Sequence, residues 1–408
     1  DRTQLNEQLA AIAELKEENY TAESWAALQE AVAAANQLAE DADQAAVDAV
    51  QAALAQAVSN LAQAENAPEG SVASITAADG TVSYYTSLFD QAEVTDENGT
   101  ITRPAVAGAV SSLKAGETLT LLQDEASSGL AVNKEEAAAD FHLDGSAVFN
   151  MNGKTVTMNT AHKQGYAFRI SAGSLTVQGG TLNVENGGGW RVDAGAALTL
   201  TGSHKASAKY ATVDCYGSVK AESGVYLENL DNSNAVWGGG NDFAGMVLDG
   251  VTMYGTSSNT VVSVSKSSAD TVISVTNCEA VSENGVAINV SGSSENVTVK
   301  DSTFIRKNGT GSSYAITFNS KVKAVVEGVT AESTGMFALT ANSSSEVTVS
   351  NSKFKAGFGA VRVNGKAVVN YPEGMVMSSM PNEEGYYTLI KAEDYVPRKA
   401  VQIGETYY

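Results

Sequence analysis

The chain has 408 residues, of which 47 are acidic and 25 basic, for a formal charge of −22. That balance repels a nucleic-acid backbone and an anionic membrane surface, so neutral glycans, extracellular proteins or cations are the expected partners. Two cysteines, Cys215 and Cys278, are too few for a disulfide framework, and no apolar run approaches the roughly 20 residues of a membrane span.

The first 66 residues contain neither Gly nor Pro and are rich in Ala. Leu5, Leu9, Ile12 and Leu15 recur at helical spacing and predict a first helix. Glu17 to Tyr20 break the pattern; Thr21 is placed to cap a second helix whose apolar face runs through Trp25, Leu28, Val32 and Leu38. Asp41 or Asp43 is placed to cap a third, striped by Val47, Val50, Leu54, Val58 and Leu61. Three short amphipathic helices over 1–66 predict a small bundle, followed by a linker over 67–71.

The run Tyr20-Thr21-Ala22-Glu23-Ser24-Trp25, with Leu28, Ala31 to Ala35, Val47 to Val50 and Leu54 to Leu61, resembles the FIVAR module of secreted and surface proteins of Gram-positive bacteria. The resemblance covers nearly all of residues 3–64. It implies a spacer or adhesive unit beside glycan-active or matrix-binding domains. Tyr20 and Trp25 themselves read as core and staple residues rather than a contact site.

From residue 72 the period changes to two, and a short alternating strand ending in Gly, Asn or Asp keeps returning, as in Leu175 to Gly179, Met246 to Gly250, Val297 to Asp301 and Val347 to Asn351. The turn residues Gly153, Gly179, Gly202, Asn229, Gly250, Asn277, Asp301, Gly328 and Asn351 fall 26, 23, 27, 21, 27, 24, 27 and 23 residues apart. One coil about every 25 residues marks a solenoid, in which stacking supplies the core. Gly, Asn and Asp suit the turn because they adopt left-handed backbone conformations at low cost. A second strand recurs in each coil. Its alternation places Phe168, Ile170, Val192, Val213, Ile288, Val290, Ile316, Phe318 and Leu339 inside and Arg169, Arg191, Asp214, Asn289 and Thr317 outside. No helical pattern separates the strands, so a parallel β-helix over 72–395 remains.

These residues resemble the right-handed parallel β-helix of the pectate-lyase-like superfamily, which implies a mainly β fold with three sheets around a narrow apolar core. An N-terminal cap is expected over 72–116, with an amphipathic helix at 105–113 plugging the open end. The pattern Gly80 to Leu88, helix, Gly116 to Leu122 resembles the opening of repeated β-helix modules in large Gram-positive surface proteins, here interrupted by an insert from Asp90 to Pro104. Residues 396–408 echo that opening and are expected to begin a following module of a longer parent.

The hydrolase signatures of that superfamily, an Asn-x-Asp strand, an Asp-Asp pair and a later Arg-x-Lys, are not recognisable, nor is the lyase pattern of calcium aspartates with a catalytic Arg. Arg169, Arg191, Asp193 and Asp214, with His204 nearby, are the residual catalytic candidates, and an ordinary charge ladder is the favoured reading of them. His204 reads as a solvated loop residue, and His142 and His162 are similarly uninformative. The Gly-rich stretch Asp231 to Phe243 offers a glycan-binding set, Trp237, Asn241, Asp242 and Phe243: a flat apolar face beside fixed polar groups. The competing reading puts Trp237 in the core of a widened coil. No Cys and His spacing marks zinc, no cofactor is expected, and structural calcium at the Asp and Asn turns has no specific motif behind it. Cys215 and Cys278 read as unbridged core residues.

The sequence therefore points to a non-enzymatic module of a larger extracellular, cell-surface or cell-wall bacterial protein: an adhesin, glycan-binding rod or stalk, monomeric in isolation. The alternative is a polysaccharide lyase or glycoside hydrolase.

Overall fold

A strand whose alternate residues are apolar needs a partner on which to bury them, and here the partner is the next turn of the same chain. The computed structural model describes residues 2–13, 15–16, 20, 22–39, 42, 44–59, 67–231, 233–309, 314–397, 402–403 and 406–407. They form two compact units, 1–69 and 70–408.

In the first unit, α1 (Thr3–Ala13), α2 (Ala22–Asn36) and α3 (Gln44–Ser59) follow the expected periodicity. Leu5, Ile12, Leu28, Ala35, Val47 and Leu54 form its core, with Leu9, Leu15, Trp25, Val32, Leu38 and Val50 packed around them. Tyr20 and Trp25 stack with ring centres 5.9 Å apart. Val58 is exposed rather than part of the stripe. Thr21, Asp41, Asp43 and Leu61 lie outside the described residues.

The second unit is a parallel β-solenoid of about 10 turns. Each full coil contributes one short strand to each of three faces. Gly188–Val192, Val213–Cys215 and Val236–Gly239 begin the regular part of the first face, which ends with Gly359–Val363. The second face runs from Ala197–Thr201 to Val368–Asn370, and the third from Glu125–Ser128 to Lys353–Lys355. Successive coils pair in parallel. Two long strands, Ala137–Asn150 and Tyr166–Gln178, bend from the first face into the second.

In the later coils the corner between the second and third faces is one residue in the left-handed region, as at Gly250 (φ 67°), Asn277 (54°), Asp301 (48°), Gly328 (65°) and Asn351 (47°); in earlier coils it is two, as at Gly179 (60°) and Gly180 (66°). In one coil the expected corner is displaced: Gly224 (φ 89°) turns the chain, not Asn229. Asn229 is buried at the end of its strand, where its Nδ2 donates to the carbonyls of Ala208 at 3.2 Å and Tyr210 at 2.5 Å. With Gly224 in its place the two spacings become 22 and 26 residues, closer to the common period.

Register stacks like on like. On the second face Leu175, Leu198, Val219, Met246, Ile273, Val297, Ala324 and Val347 form one inward row, and all are buried. Near the N-terminal end the core is aromatic: Phe168 lies 4.8 Å from Trp190, 5.8 Å from Phe141 and 6.0 Å from Phe149.

Both ends are closed by antiparallel strands. Ala73–Thr76 pairs with Thr118–Leu121, and Leu88, Phe89, Ala109, Val110 and Leu113 fill the core there, with Phe89 stacked 5.9 Å from Phe168. The helix expected over 105–113 is only Ala109–Ser112. Gly108 is extended and donates to Asp90 at 2.7 Å, while Val106 bridges Gln91, so the preceding residues are held as strand. The insert is a hairpin of Val94–Thr95 with Ile101–Arg103. At the other end Tyr387–Lys391 pairs antiparallel with Lys353–Lys355, covering the unpaired edge.

Replacing Phe168 by Ala removes the ring that joins cap to first coils and is expected to lower stability by about 3–5 kcal/mol, read as an earlier midpoint in urea unfolding followed by circular dichroism.

Candidate functional site

The outer side of the first face carries the densest side-chain chemistry of the second unit. Register places Arg169, Arg191, Asp214 and Trp237 one above another in consecutive coils. Asp193 follows Val192 at the end of its strand and collects both guanidinium groups: Arg169 donates through Nε at 2.6 Å and again through Nη2, and Arg191 through Nε at 3.0 Å. The four charged candidates are thus brought together.

Arg191 is also sandwiched between rings. Its guanidinium carbon lies 5.6 Å from the Tyr166 ring centre and 4.9 Å from that of Tyr216. Tyr216 in turn packs against Trp237 at 5.0 Å, and Tyr210 against Tyr166 at 5.8 Å. The result is a strip of rings, Tyr210, Tyr166, Tyr216 and Trp237, interrupted by one cation. Glu135 adds a carboxylate 3.4 Å from Arg191 Nη1, an ion pair without hydrogen-bond alignment, because that nitrogen has no hydrogen-bond partner. Glu135 has a left-handed backbone (φ 64°), a strained conformation held by the hydrogen bond its N–H donates to the Gln164 carbonyl at 2.9 Å.

Asp214 lies on the outer row, as alternation requires, yet only 5% of it is exposed. The tyrosine rings close over it, and the Tyr166 hydroxyl donates to its carboxylate. Burial pushes the Asp214 pKa above the ordinary carboxylate range, although the Tyr166 hydrogen bond and Arg191 oppose the shift. Burial, then Asp214, pushes the Tyr166 phenol up as well, and the Tyr216 phenol to about 12. For Arg191, burial works against the charge, but the Asp193 hydrogen bond and the neighbouring tyrosines outweigh it and the pKa rises.

The Gly-rich stretch accommodates aromatic groups, but not as one surface. Trp237 faces outward, half-buried, and is not a core residue. Asn241 and Asp242 are exposed in the following turn. Phe243, expected beside them, is in the core at 3% exposure. Gly238 makes room for it: a Cβ there would stand 2.6 Å from the Phe243 ring. Gly239 and Gly240 likewise leave space for Trp237 and Tyr216, which their Cβ atoms would approach to 2.8 and 3.2 Å.

His204 is a second correction, because it is fully buried. It lies edge-on to Trp190 at 5.8 Å, and its Nδ1 meets the Gly179 carbonyl at 2.9 Å, which makes that nitrogen the donor. Burial lowers its pKa to about 4, against the pull of the Gly179 and Gly180 backbone. Cys215 and Cys278 are unbridged and buried, and burial raises their thiols to about 12 and 11. Among the described residues no group of three or more His, Cys, Asp or Glu is placed to hold a metal ion.

Tyr166, Tyr210, Tyr216 and Glu135 were not singled out by the sequence as site residues. The available signal was a Tyr shortly before an outward charge in two coils with one between them, at Tyr166 and Arg169 and again at Tyr210 and Asp214. Comparison with known proteins gives no match to a family model, a curated sequence or a solved structure.

The buried imidazole has a pH signature. Above its ordinary pKa of 6.5 it is neutral whether the chain is folded or not. As pH falls towards 4 the unfolded chain takes a proton that the folded chain refuses. Stability is therefore lost across that window, by about 3 kcal/mol from this residue. Urea midpoints compared at about pH 7.5 and 4.5 should fall less in His204→Leu than in the parent; equal falls would exclude His204 as the titrating group.

Proposed function

We propose that the chain is a non-enzymatic module of a secreted or cell-surface bacterial protein that binds a neutral glycan on the outer first face of its solenoid. The observation that carries this reading is the half-exposed Trp237 ring packed 5.0 Å from Tyr216, with neighbouring glycines leaving space around both rings. Flat rings offer a sugar an apolar seat, and Asn241, Asp242 and Arg191 supply polar groups at its edge. The helical unit resembles FIVAR and the solenoid resembles the pectate-lyase-like superfamily, and both resemblances favour a protein that works among extracellular polysaccharides. Those resemblances warrant a setting, not a chemistry.

The convergence of Asp193, Asp214 and two arginines favours the alternative of a polysaccharide lyase or glycoside hydrolase. The state of the carboxylates weighs against it. Asp193 already accepts from two guanidinium groups and Asp214 is almost sealed from solvent. Glycoside cleavage needs two carboxylates flanking a sugar bond with room for it between them.

In affinity electrophoresis against a panel of neutral polysaccharides, at least one is expected to retard the chain, and Trp237→Ala to weaken that retention about tenfold or more. Retention by none of them, or equal retention of the variant, would sink the reading. Release of new reducing ends or unsaturated sugars during the same incubations would establish the enzymatic alternative.

A further inference from the structure

On this acidic chain four cations collect at one place. Arg306, Lys307, Lys353 and Lys355 lie in or beside Thr303–Arg306, Thr330–Ser333 and Lys353–Lys355, the last three coils of the third face. Register sets Ile305, Glu332 and Lys355 in one outward row and Thr303, Thr330 and Lys353 in the next. The capping segment then brings Tyr386 across both lysines, whose Nζ atoms stand 4.6 Å (Lys353) and 5.3 Å (Lys355) from its ring centre.

The carboxylates nearby are already engaged. Glu332 accepts the Tyr386 hydroxyl. Glu283 takes Lys307 Nζ at 2.8 Å and the Tyr254 hydroxyl. Neither Lys353 nor Lys355 has an ion-pair partner among the described residues. Arg306 is more unusual. It shares an inward-facing row with Ser282 and Ser333, both buried, so a guanidinium emerges where neighbouring coils carry small hydroxyls. Its Nη2 donates to the Asn284 carbonyl at 2.7 Å, but its Nε is buried with no partner, and no carboxylate among the described residues pairs with it. An unfilled donor on a charged group is unfavourable, and an oxyanion seated beside the guanidinium offsets it.

Three of the four cations, Arg306, Lys307 and Lys355, line an open cleft of about 300 Å³, with Lys353 beside it across the Tyr386 ring, at the lower end of ordinary small-ligand sites. Arg306, Lys307, Thr334 and Lys355 surround it, with Ile305 as its apolar wall and Glu332 as its one carboxylate. We propose that this cleft is an anion-binding site that seats one sulfate or carboxylate group carried on a saccharide chain. The oxyanion chemistry stands by itself; the saccharide carrier rests on the glycan-binding reading above. A net charge of −22 opposes a densely charged polymer such as a nucleic acid. A sparsely charged chain meets the local cations within a screening length.

The test is calorimetric titration of the full chain at low salt with a sulfated oligosaccharide, a uronic-acid oligosaccharide, a neutral oligosaccharide of equal length, and inorganic sulfate. At least one charged oligosaccharide should bind, and more tightly than inorganic sulfate. Binding should disappear at about 1 M salt, where the screening length is about 3 Å. Lys353→Ala with Lys355→Ala, both at exposed side chains, should weaken it roughly tenfold, and Arg306→Gln by a similar factor. Trp237→Ala should leave it unchanged, which separates this site from the first face. The proposal is overturned if neither charged oligosaccharide binds, if binding survives the double lysine variant, if it is lost in Trp237→Ala, or if inorganic sulfate alone binds.

Discussion

No coil of this solenoid can bury its inward side chains alone, and the rest of the structure follows from that constraint. A parallel backbone ladder, in register over most of each strand, is what lets one coil cover the next. It forces equivalent residues into rows, so Leu175, Leu198 and Val219 lie in line on the second face, while Phe168, Trp190 and Val213 do the same on the first. Where the chain must turn within one residue, the left-handed conformation selects Gly, Asn or Asp. At each end an antiparallel strand takes up, on one face, the hydrogen bonds that a further coil would have satisfied.

The same register governs the outside, where nothing demands an apolar residue. Towards the C-terminal end the first face carries a ladder of amides. Asn319 Nδ2 donates to Asn289 at 2.7 Å, Asn342 to Asn319 at 2.8 Å, and Asn364 to Asn342 at 2.7 Å. Each amide satisfies the next, and the strip is self-contained. A few coils earlier the same face carries Arg169, Arg191, Asp214 and Trp237. There the groups differ from coil to coil, an acid is buried against its own solvation preference, and one residue, Glu135, holds a strained backbone. Uniform rows stabilise the column; in the irregular one, local structural rules give way.

Much of the architecture was legible in the sequence because it is periodic. Period-two alternation identified Phe168, Ile170, Val192 and Val213 as inward, and all four are buried. The corner residues were visible apart from Asn229, whose place at the end of a short strand mimicked a turn that Gly224 makes. Periodicity separates the two sides of a strand, but it does not say how deeply an outward residue is covered. Asp214 was placed outside correctly, yet its burial depends on Tyr166, 48 residues away in the chain. Phe243 and His204 sit off the strands, where no alternation exists to read, and both were taken for surface residues.

What the sequence determined by itself was the repeat, the identity of the inward rows and the three N-terminal helices, because these depend on local spacing and on the chemistry of neighbouring positions. What only the tertiary structure decided was which outward side chains meet. Arg169 and Asp193 are 24 residues apart in the chain and share a bond. Lys355 and Tyr386 approach through a capping strand whose pairing no local pattern announces. Contacts between coils depend on the length of every intervening loop, and loop length leaves no periodic mark in a sequence.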